Sequence, residues 1–344
     1  ISYGVLTKES GGAIIITASH NPGIWNGFKY KDQHGSSASD EITAQIESGV
    51  ARAITTGKVN RLPLDKAIKK GLVAELDLDP VYFDQINRLI DLEAIRKAGL
   101  KIVIDPMYGA GAGYLVKALG GGTNELIEIN SERNPLFPGI RPEPIAVNLA
   151  KLSATVKECK ANVGLATDGD ADRMGIVDEK GTFLTQLQVY ALLCLYLLEI
   201  RGERGAIVKT ITTSSMLFKL GKLYDVPVYE TCVGFKYVAP IMMKENALIG
   251  GEESSGFGFR GHLPERDGIL AGIYLLDFIN RTKKTPSELI EYLYSLVGPH
   301  HYLRDDLEFP AQERESIIKR LTHNMTDHVA GIEVIKVNTM DGYH

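Results

Sequence analysis

Cysteine is nearly absent from this chain. Its 344 residues hold three, Cys159, Cys194 and Cys232, and no CxxC among them. That excludes a disulfide framework and a paired-thiolate metal knuckle, and it predicts reduced, buried thiols in a cytosolic protein. Long hydrophobic runs are missing too. The longest, VYALLCLYLL over 189–198, is too short to span a bilayer and suits a core helix. No charge sign dominates: 38 Lys and Arg against 43 Asp and Glu leave −5. Nothing global therefore draws the chain to nucleic acid or to an anionic membrane, and an anionic ligand would need a locally positive pocket. The start, ISYGVLTKESGG, has no basic leader, cleavage signal or initiator Met. It reads as a cytoplasmic protein, present here as a fragment or as the ordered part of a longer chain.

Apolar residues make up 44% of the chain. That is ample for buried cores, and a length of 344 residues predicts two to three domains at about 150 residues each. Strands and helices alternate. AIIITAS (13–19) is a short β-rich run, and Ser39 or Asp40 can cap the helix EITAQIESGVARAI. A helical stretch near 80–98 closes the first section. A second round runs through the strand KIVIDP, the helix GYLVKALGG, the strand NELIEIN, the helix VNLAKLSATVKECKA and the strand NVGLATD. MGIVDEKG reads as a hairpin return, and QLQVYALLCLYLLEI as a helix. A third round starts at GAIVKTITTSS, passes through PVYETCVG and ALIGGEESS, and ends in two helices, DGILAGIYLLDFINR and TPSELIEYLYSLV. The pattern predicts α/β sandwiches with largely parallel sheets. Boundaries fall near Gly99, Gly202 and Arg304, with a separate small unit after Arg304.

Three polar loops each follow an apolar strand, the place where ligands gather in α/β folds. They are TASHNP (17–22), DGDADR (168–173) and GEESSG (251–256). In DGDADR the alternating Asp168, Asp170 and Asp172 can converge on one hard cation, Mg²⁺ or Ca²⁺. An EF-hand is excluded because its sixth position is Arg173, where glycine is needed, and the flanks read as strands. Beside three carboxylates, Arg173 suits a site that holds a cation and a phosphate together. The bland alternative is a solvated acidic turn.

TASHNP presents Ser19 and His20 where the backbone must turn, and Lys29 follows in NGFK. Ser19 alone would be an ordinary turn serine. It lacks the GxSxG of a hydrolase nucleophile, and no P-loop GxxxxGK[ST] occurs. The run Gly109-Ala110-Gly111-Ala112-Gly113 misses the Rossmann fingerprint at Tyr114 and reads as a tight helix entry. In GEESSG, Glu252 and Ser254 would point the same way on an extended loop and grip vicinal sugar hydroxyls. The same unit supplies His262 and Arg266 from GHLPERDG, and Gly234 and Lys236 from VGFKYV.

Together and in this order, TASHNP with NGFK, DGDADR, and GEESSG with HLPERDG resemble the α-D-phosphohexomutases. That family includes phosphoglucomutase and phosphomannomutase, and the resemblance covers nearly the whole chain. It implies three tandem α/β/α sandwich domains, 1–98, 99–202 and 203–303, and the start of a smaller α+β domain at 304–344. It implies that Ser19 carries a phosphoryl group and that Asp168, Asp170 and Asp172 hold Mg²⁺ with a phosphoserine oxygen. Lys29 would be the general acid/base, with His20 beside the phosphoserine. Glu252 and Ser254 match the sugar-gripping pair, and Gly234 sits in what resembles the specificity loop. Arg173, Lys236, His262 and Arg266 complete the substrate set.

The implied reaction interconverts hexose 1- and 6-phosphates through a bisphosphorylated sugar, with glucose 1,6-bisphosphate as activator. Glucose phosphate is favoured because GEESSG and HLPERDG look more like phosphoglucomutases than like GEMSGH or GEQSGH enzymes. Mannose or pentose phosphates, a non-catalytic sugar-phosphate binder and a phosphatase are the rivals. The expected partners are small sugar phosphates, with no nucleic acid or membrane and a monomer or weak homodimer. The chain departs from the family's pattern in four places. The opening arginine strand and the RxSGTEP phosphate loop are not seen, so a truly truncated chain would have impaired phosphate affinity and turnover. Arg266 stands where related phosphoglucomutases tend to have lysine, and Gly256 where bacterial phosphomannomutases carry histidine.

Overall fold

A computed structural model describes residues 1–303, 310–323, 328–329 and 331–333. The first section opens on a short helix α1 (Ser2–Thr7), which the sequence reading lacked, and a two-stranded hairpin, β1 (Ala13–Ile16) and β2 (Phe28–Lys31). The strands are antiparallel, with Ile15 opposite Lys29 and Ala13 opposite Lys31. Helices α2 (Asp40–Thr56), α3 (Leu64–Lys69), α4 (Asp79–Leu89) and α5 (Leu92–Arg96) follow. Ser39 caps α2: its hydroxyl accepts from the Ile42 amide at 3.4 Å.

The second section is a five-stranded sheet. Its strands are β3 (Lys101–Asp105), β4 (Glu125–Glu128), β5 (Val163–Thr167), β6 (Met174–Val177) and β7 (Phe183–Leu184), and α6 (Tyr114–Leu119) and α7 (Ala150–Cys159) are its helices. The order is β4-β3-β5-β6-β7. β4, β3 and β5 are parallel, while β6 and β7 return antiparallel. VGLAT is buried along its whole length, as a central strand covered on both faces must be.

Helix α8 (Gln186–Leu195) continues as a π-helical turn over Tyr196–Ile200. It starts at a capping box between Thr185 and Gln188. The third section has β8 (Ile207–Thr210), α9 (Met216–Leu223), β9 (Val228–Thr231), α10 (Phe235–Lys244), β10 (Ile249–Gly251) and β11 (Phe257–Phe259). Its sheet runs β11-β10-β8-β9, parallel except for β11. Both sheets are thus mixed at one edge rather than uniformly parallel. The edge strands are two to four residues long, too short for their periodicity to show in the sequence.

Helices α11 (Gly268–Thr282) and α12 (Pro286–Val297) complete the section. One apolar cluster joins the second and third sections. It includes Leu165 and Ile176 from the five-stranded sheet, Leu192 to Leu198, and Ile273 to Leu276 with Phe278 of α11. At about 1.5–3 kcal/mol per fully buried aliphatic or aromatic side chain, this shared core binds the two sheets together. Cys194 is buried in it, but Cys159 and Cys232 are only half-buried, which corrects the expectation for those two thiols. Among the described residues, no helix is long and apolar enough to cross a membrane. A further helix (Arg314–His323) and a short hairpin (His328–Val329 with Ile332–Glu333) are described beyond residue 304. The rest of the small C-terminal unit expected at 304–344 lies outside the described residues.

Candidate active site

The loop between β5 and β6 is the centre of the site. Asp168 is wholly buried. Its Oδ1 accepts the amides of Asp172 at 3.0 Å and Arg173 at 3.2 Å, which curls the loop back on itself. Ala171 takes a positive φ of 61° to complete the curl. One oxygen from each of Asp168, Asp170 and Asp172 lies within 4.8 Å of the others.

Three glycines let other segments close on this loop. A Cβ on Gly169 would stand 2.2 Å from the Ser19 carbonyl oxygen, and one on Gly109 would stand 2.8 Å from the Gly169 oxygen. A Cβ on Gly111 would reach Thr167 Oγ1 at 2.4 Å. The Ala110 amide donates to the Gly169 oxygen at 3.0 Å. The Gly109–Gly113 run is therefore more than a helix entry: it packs directly against the aspartate loop.

Ser19 reaches this loop from the first section. It too holds a positive φ, 54°, and its amide donates to Thr17 Oγ1 at 2.8 Å. Strain of this kind gathers at functional turns. Its Oγ stands 3.0 Å from Asp170 Oδ1 and 3.3 Å from Asp168 Oδ2. Lys29 Nζ donates to Asp170 Oδ2 at 2.6 Å and to Asp172 Oδ2 at 3.3 Å. Arg173 Nε lies 3.8 Å from both Asp168 and Asp172. Arg266 bridges the second and third sections: Nη2 meets Asp172 Oδ2 at 2.7 Å and Nη1 meets Glu252 Oε2 at 3.0 Å. Backbone contacts lock the same junction, with Arg173 bridged to Gly256 and the Met174 amide donating to the Ser255 oxygen at 3.2 Å.

Electrostatics follow from this crowding. Burial, then the charges of Asp172 and Asp170, push the Asp168 carboxyl well above its usual range. Burial acts the same way on Asp172, but Arg266 and Lys29 outweigh it and hold that carboxyl at about 2. Burial alone would lower Lys29; Asp172 and Asp170 raise it instead. His20 is pushed down to about 4 by burial and then by Arg173, so it is neutral at pH 7. Burial raises Glu252 against the pull of Arg266. Several enclosed polar atoms here have no hydrogen-bond partner among the described residues: His20 Nδ1, Asp172 Oδ1, Arg173 Nε, Ser254 Oγ and Arg266 Nε. Such atoms are costly unless a ligand meets them. The donor set, carboxylate oxygens with an orphaned Asp172 Oδ1, fits a hard divalent cation such as Mg²⁺.

The expected residues thus divide. Ser19, Lys29, the three aspartates, Arg173, Glu252 and Arg266 share one network, and His20 lies within its field. Ser254 is enclosed in the adjoining loop, which is a turn at 252–255 rather than the extended segment the sequence reading assumed. Gly234 caps α10 at φ 124°. Lys236 pairs at 2.5 Å with Asp40, at the start of α2. His262 pairs at 2.9 Å with Asp267 and stacks on Tyr3. Its partners are not those of the aspartate network. Sequence reasoning read Gly109 and Gly111 only as a helix entry and missed Gly169, because the role of all three depends on what packs against them. It also missed Lys31 and Glu265. The one available signal was that Lys31 lies two residues after Lys29.

Comparison with known proteins places this geometry. Three consecutive segments match the phosphoglucomutase/phosphomannomutase α/β/α domains: domain I over 1–56, domain II over 80–181 and domain III over 187–297. The chain belongs to the phosphoglucomutase/phosphomannomutase family, the α-D-phosphohexomutases. It is 30% identical to the phosphoglucomutase/phosphomannomutase of Thermococcus kodakarensis, over 96% of this chain and 69% of the relative. It is 29% identical to a phosphoglucosamine/phosphogalactosamine mutase of Sulfurisphaera tokodaii, over 99% of this chain and 72% of the relative. A crystal structure of a Thermus thermophilus protein described as a phosphomannomutase superposes with a TM-score of 0.81. That protein is 32% identical, and the match covers 99% of this chain and 72% of that one.

Proposed function

We propose that this chain carries the active centre of an intramolecular phosphotransferase that interconverts hexose 1-phosphate and hexose 6-phosphate, with glucose phosphate favoured. The reading rests on one observation: Ser19 Oγ stands 3.0 Å and 3.3 Å from carboxylate oxygens of the aspartate loop. The hydroxyl meets two of the three convergent carboxylates there. That makes sense when the hydroxyl is esterified and a divalent cation lies between the charges. When bound, Mg²⁺ on Asp168, Asp170, Asp172 and a phosphoserine oxygen supplies charge neutralisation for phosphoryl transfer.

The chain's own residues do the rest. A sugar hydroxyl attacks the phosphorus of phosphoserine 19. The bond to Ser19 Oγ breaks as the new P–O bond forms, and the hydroxyl proton passes to Ser19 Oγ with Lys29 as carrier. Arg173 and Lys29 offset the charge of the transferring group. Glu252 and Ser254 hold the ring hydroxyls while the bisphosphate turns, and the other phosphate returns to Ser19. His20, neutral beside the serine, donates or accepts a hydrogen bond without adding charge. Gly234, Lys236, His262 and Arg266 are substrate-binding residues in this reading. The domain divisions at 98, 202 and 303, a monomer or weak homodimer, and a cytoplasmic setting are part of the same proposal.

Incubation with Mg²⁺ and glucose 1,6-bisphosphate should add the mass of one phosphate group to the protein. A coupled assay should show glucose 1-phosphate turning into glucose 6-phosphate. Ser19→Ala should lose both. Net release of inorganic phosphate would indicate a phosphatase instead. Relatives named for glucose, mannose and amino-sugar phosphates make the same assay on mannose, glucosamine and pentose phosphates the measure of preference.

A further inference from the structure

β2 carries a second lysine that the reaction above does not use. Lys29 and Lys31 are two residues apart on a strand, so both side chains leave the same face. Lys31 and its partner Glu265 are each only 4% exposed. Lys31 Nζ donates to Glu265 Oε2 and, at 3.2 Å, to Ser37 Oγ. Ser37 Oγ donates to the same Glu265 oxygen at 2.7 Å. The other carboxylate oxygen, Oε1, accepts the Arg266 amide at 3.0 Å and lies 3.4 Å from Arg266 Nε. Arg266 in turn meets Asp172 at 2.7 Å, and Lys29 meets the same Asp172 oxygen at 3.3 Å. The groups close a ring: Lys29, Asp172, Arg266, Glu265, Lys31, and back along the strand.

A buried ion pair seldom stabilises a fold more than apolar residues of the same volume would. This one joins two sections of the chain at residues next to the catalytic candidates. We infer that Lys31 and Glu265 are positioning residues: the pair seats Arg266 between Asp172 and Glu252 and ties β2, and so Lys29, to the same carboxylate. The inference rests on the mutase reading for its catalytic consequence, but its mechanical content does not.

The test is the double variant Lys31→Met/Glu265→Leu, which removes both charges at similar volume. Its thermal midpoint should stay within a few degrees of wild type. Its kcat for hexose phosphate isomerisation should fall about tenfold or more with KM changed less than about threefold. Lys31→Arg, which keeps the charge, should retain activity. A double variant with wild-type kcat overturns the inference. If the double variant does not fold, Lys31→Met/Glu265→Gln takes its place with the same kcat criterion.

If wild type converts no hexose phosphate, the mutase reading has failed separately, and hydrogen exchange decides. Amides of 265–268 should exchange faster in the apolar double variant than in wild type, with α8 unchanged. Equal rates would overturn the clamp.

Discussion

Ser19 Oγ stands 3.0 Å from Asp170 Oδ1 although 151 residues separate the two in sequence. The contact depends on backbone touching backbone, because Gly169 leaves room for the Ser19 carbonyl where a Cβ would stand 2.2 Å away. The serine loop and the aspartate loop are therefore fitted to each other through a missing side chain.

Gly169→Ala should break that fit while leaving both sheets intact. The added methyl must displace the Ser19 loop, and a shift of about 1 Å at a reacting centre can cost about 10²-fold in rate. The expected outcome is a kcat lower by about that factor, with a far-ultraviolet circular dichroism spectrum like wild type. An unchanged kcat would show that the serine loop does not act from this position.

Cation binding should be visible without any substrate. Three carboxylates within 4.8 Å of one another repel, and among the described residues Lys29, Arg173 and Arg266 pair with them. A ligand that binds the folded state alone stabilises it by about 2.7 kcal/mol at a hundredfold excess over Kd. Mg²⁺ should therefore raise the thermal midpoint and EDTA should return it. Asp168→Asn keeps an acceptor for the Asp172 and Arg173 amides but should abolish the Mg²⁺ response. A midpoint indifferent to Mg²⁺ in wild type would remove the metal from this site.

Most of the α/β rhythm was legible because each long element carries its own periodicity and its own caps. KIVID and VGLAT are continuous apolar runs because they are central strands. Thr285-Pro286 with Glu288 announces α12 through a capping box. What stayed hidden was short or relational. β2 and β11 are four and three residues long, too few for alternation to declare itself. Without β2 as a strand, nothing put Lys31 on the same face as Lys29. The site's aspartates and serine were legible as residue types in loops after strands. Glu265 was not, because its meaning lies in a partner 234 positions away.

Asp267 should govern part of the acid limb of stability. It caps α11 through the Leu270 amide at 2.9 Å, takes the Tyr82 hydroxyl at 3.0 Å and pairs with His262 at 2.9 Å. Burial alone would raise its carboxyl, but His262, Leu270 and Tyr82 together hold it below the usual range. A depressed folded-state value means stabilisation present above the unfolded pKa of about 3.9 and lost as pH falls through the lower folded value. Asp267→Ala should cost about 3 kcal/mol near neutral pH, since it strands buried partners as well as the cap. Urea unfolding should show that difference holding from about pH 7 to 5 and narrowing below about pH 4. A gap that stays constant to pH 3 would contradict the assignment.

The two departures from the family's pattern in the third section, Gly256 and Arg266, are one structural feature. A Cβ on Gly256 would stand 2.2 Å from Arg266 Cδ and 2.9 Å from its Cγ. Those atoms are the stem of the side chain, not its mobile end, so the guanidinium cannot keep both partners while the stem moves aside. Gly256→Ala should therefore uncouple Arg266 from Asp172 and Glu252 and act like loss of the arginine. Residues in direct contact are not additive. The double variant Gly256→Ala/Arg266→Ala should then be no worse in kcat/KM than Arg266→Ala alone. Additive losses in that cycle would mean that residue 256 acts through something other than the room it leaves for Arg266. A non-additive result would show that the room left at Gly256 is what seats Arg266.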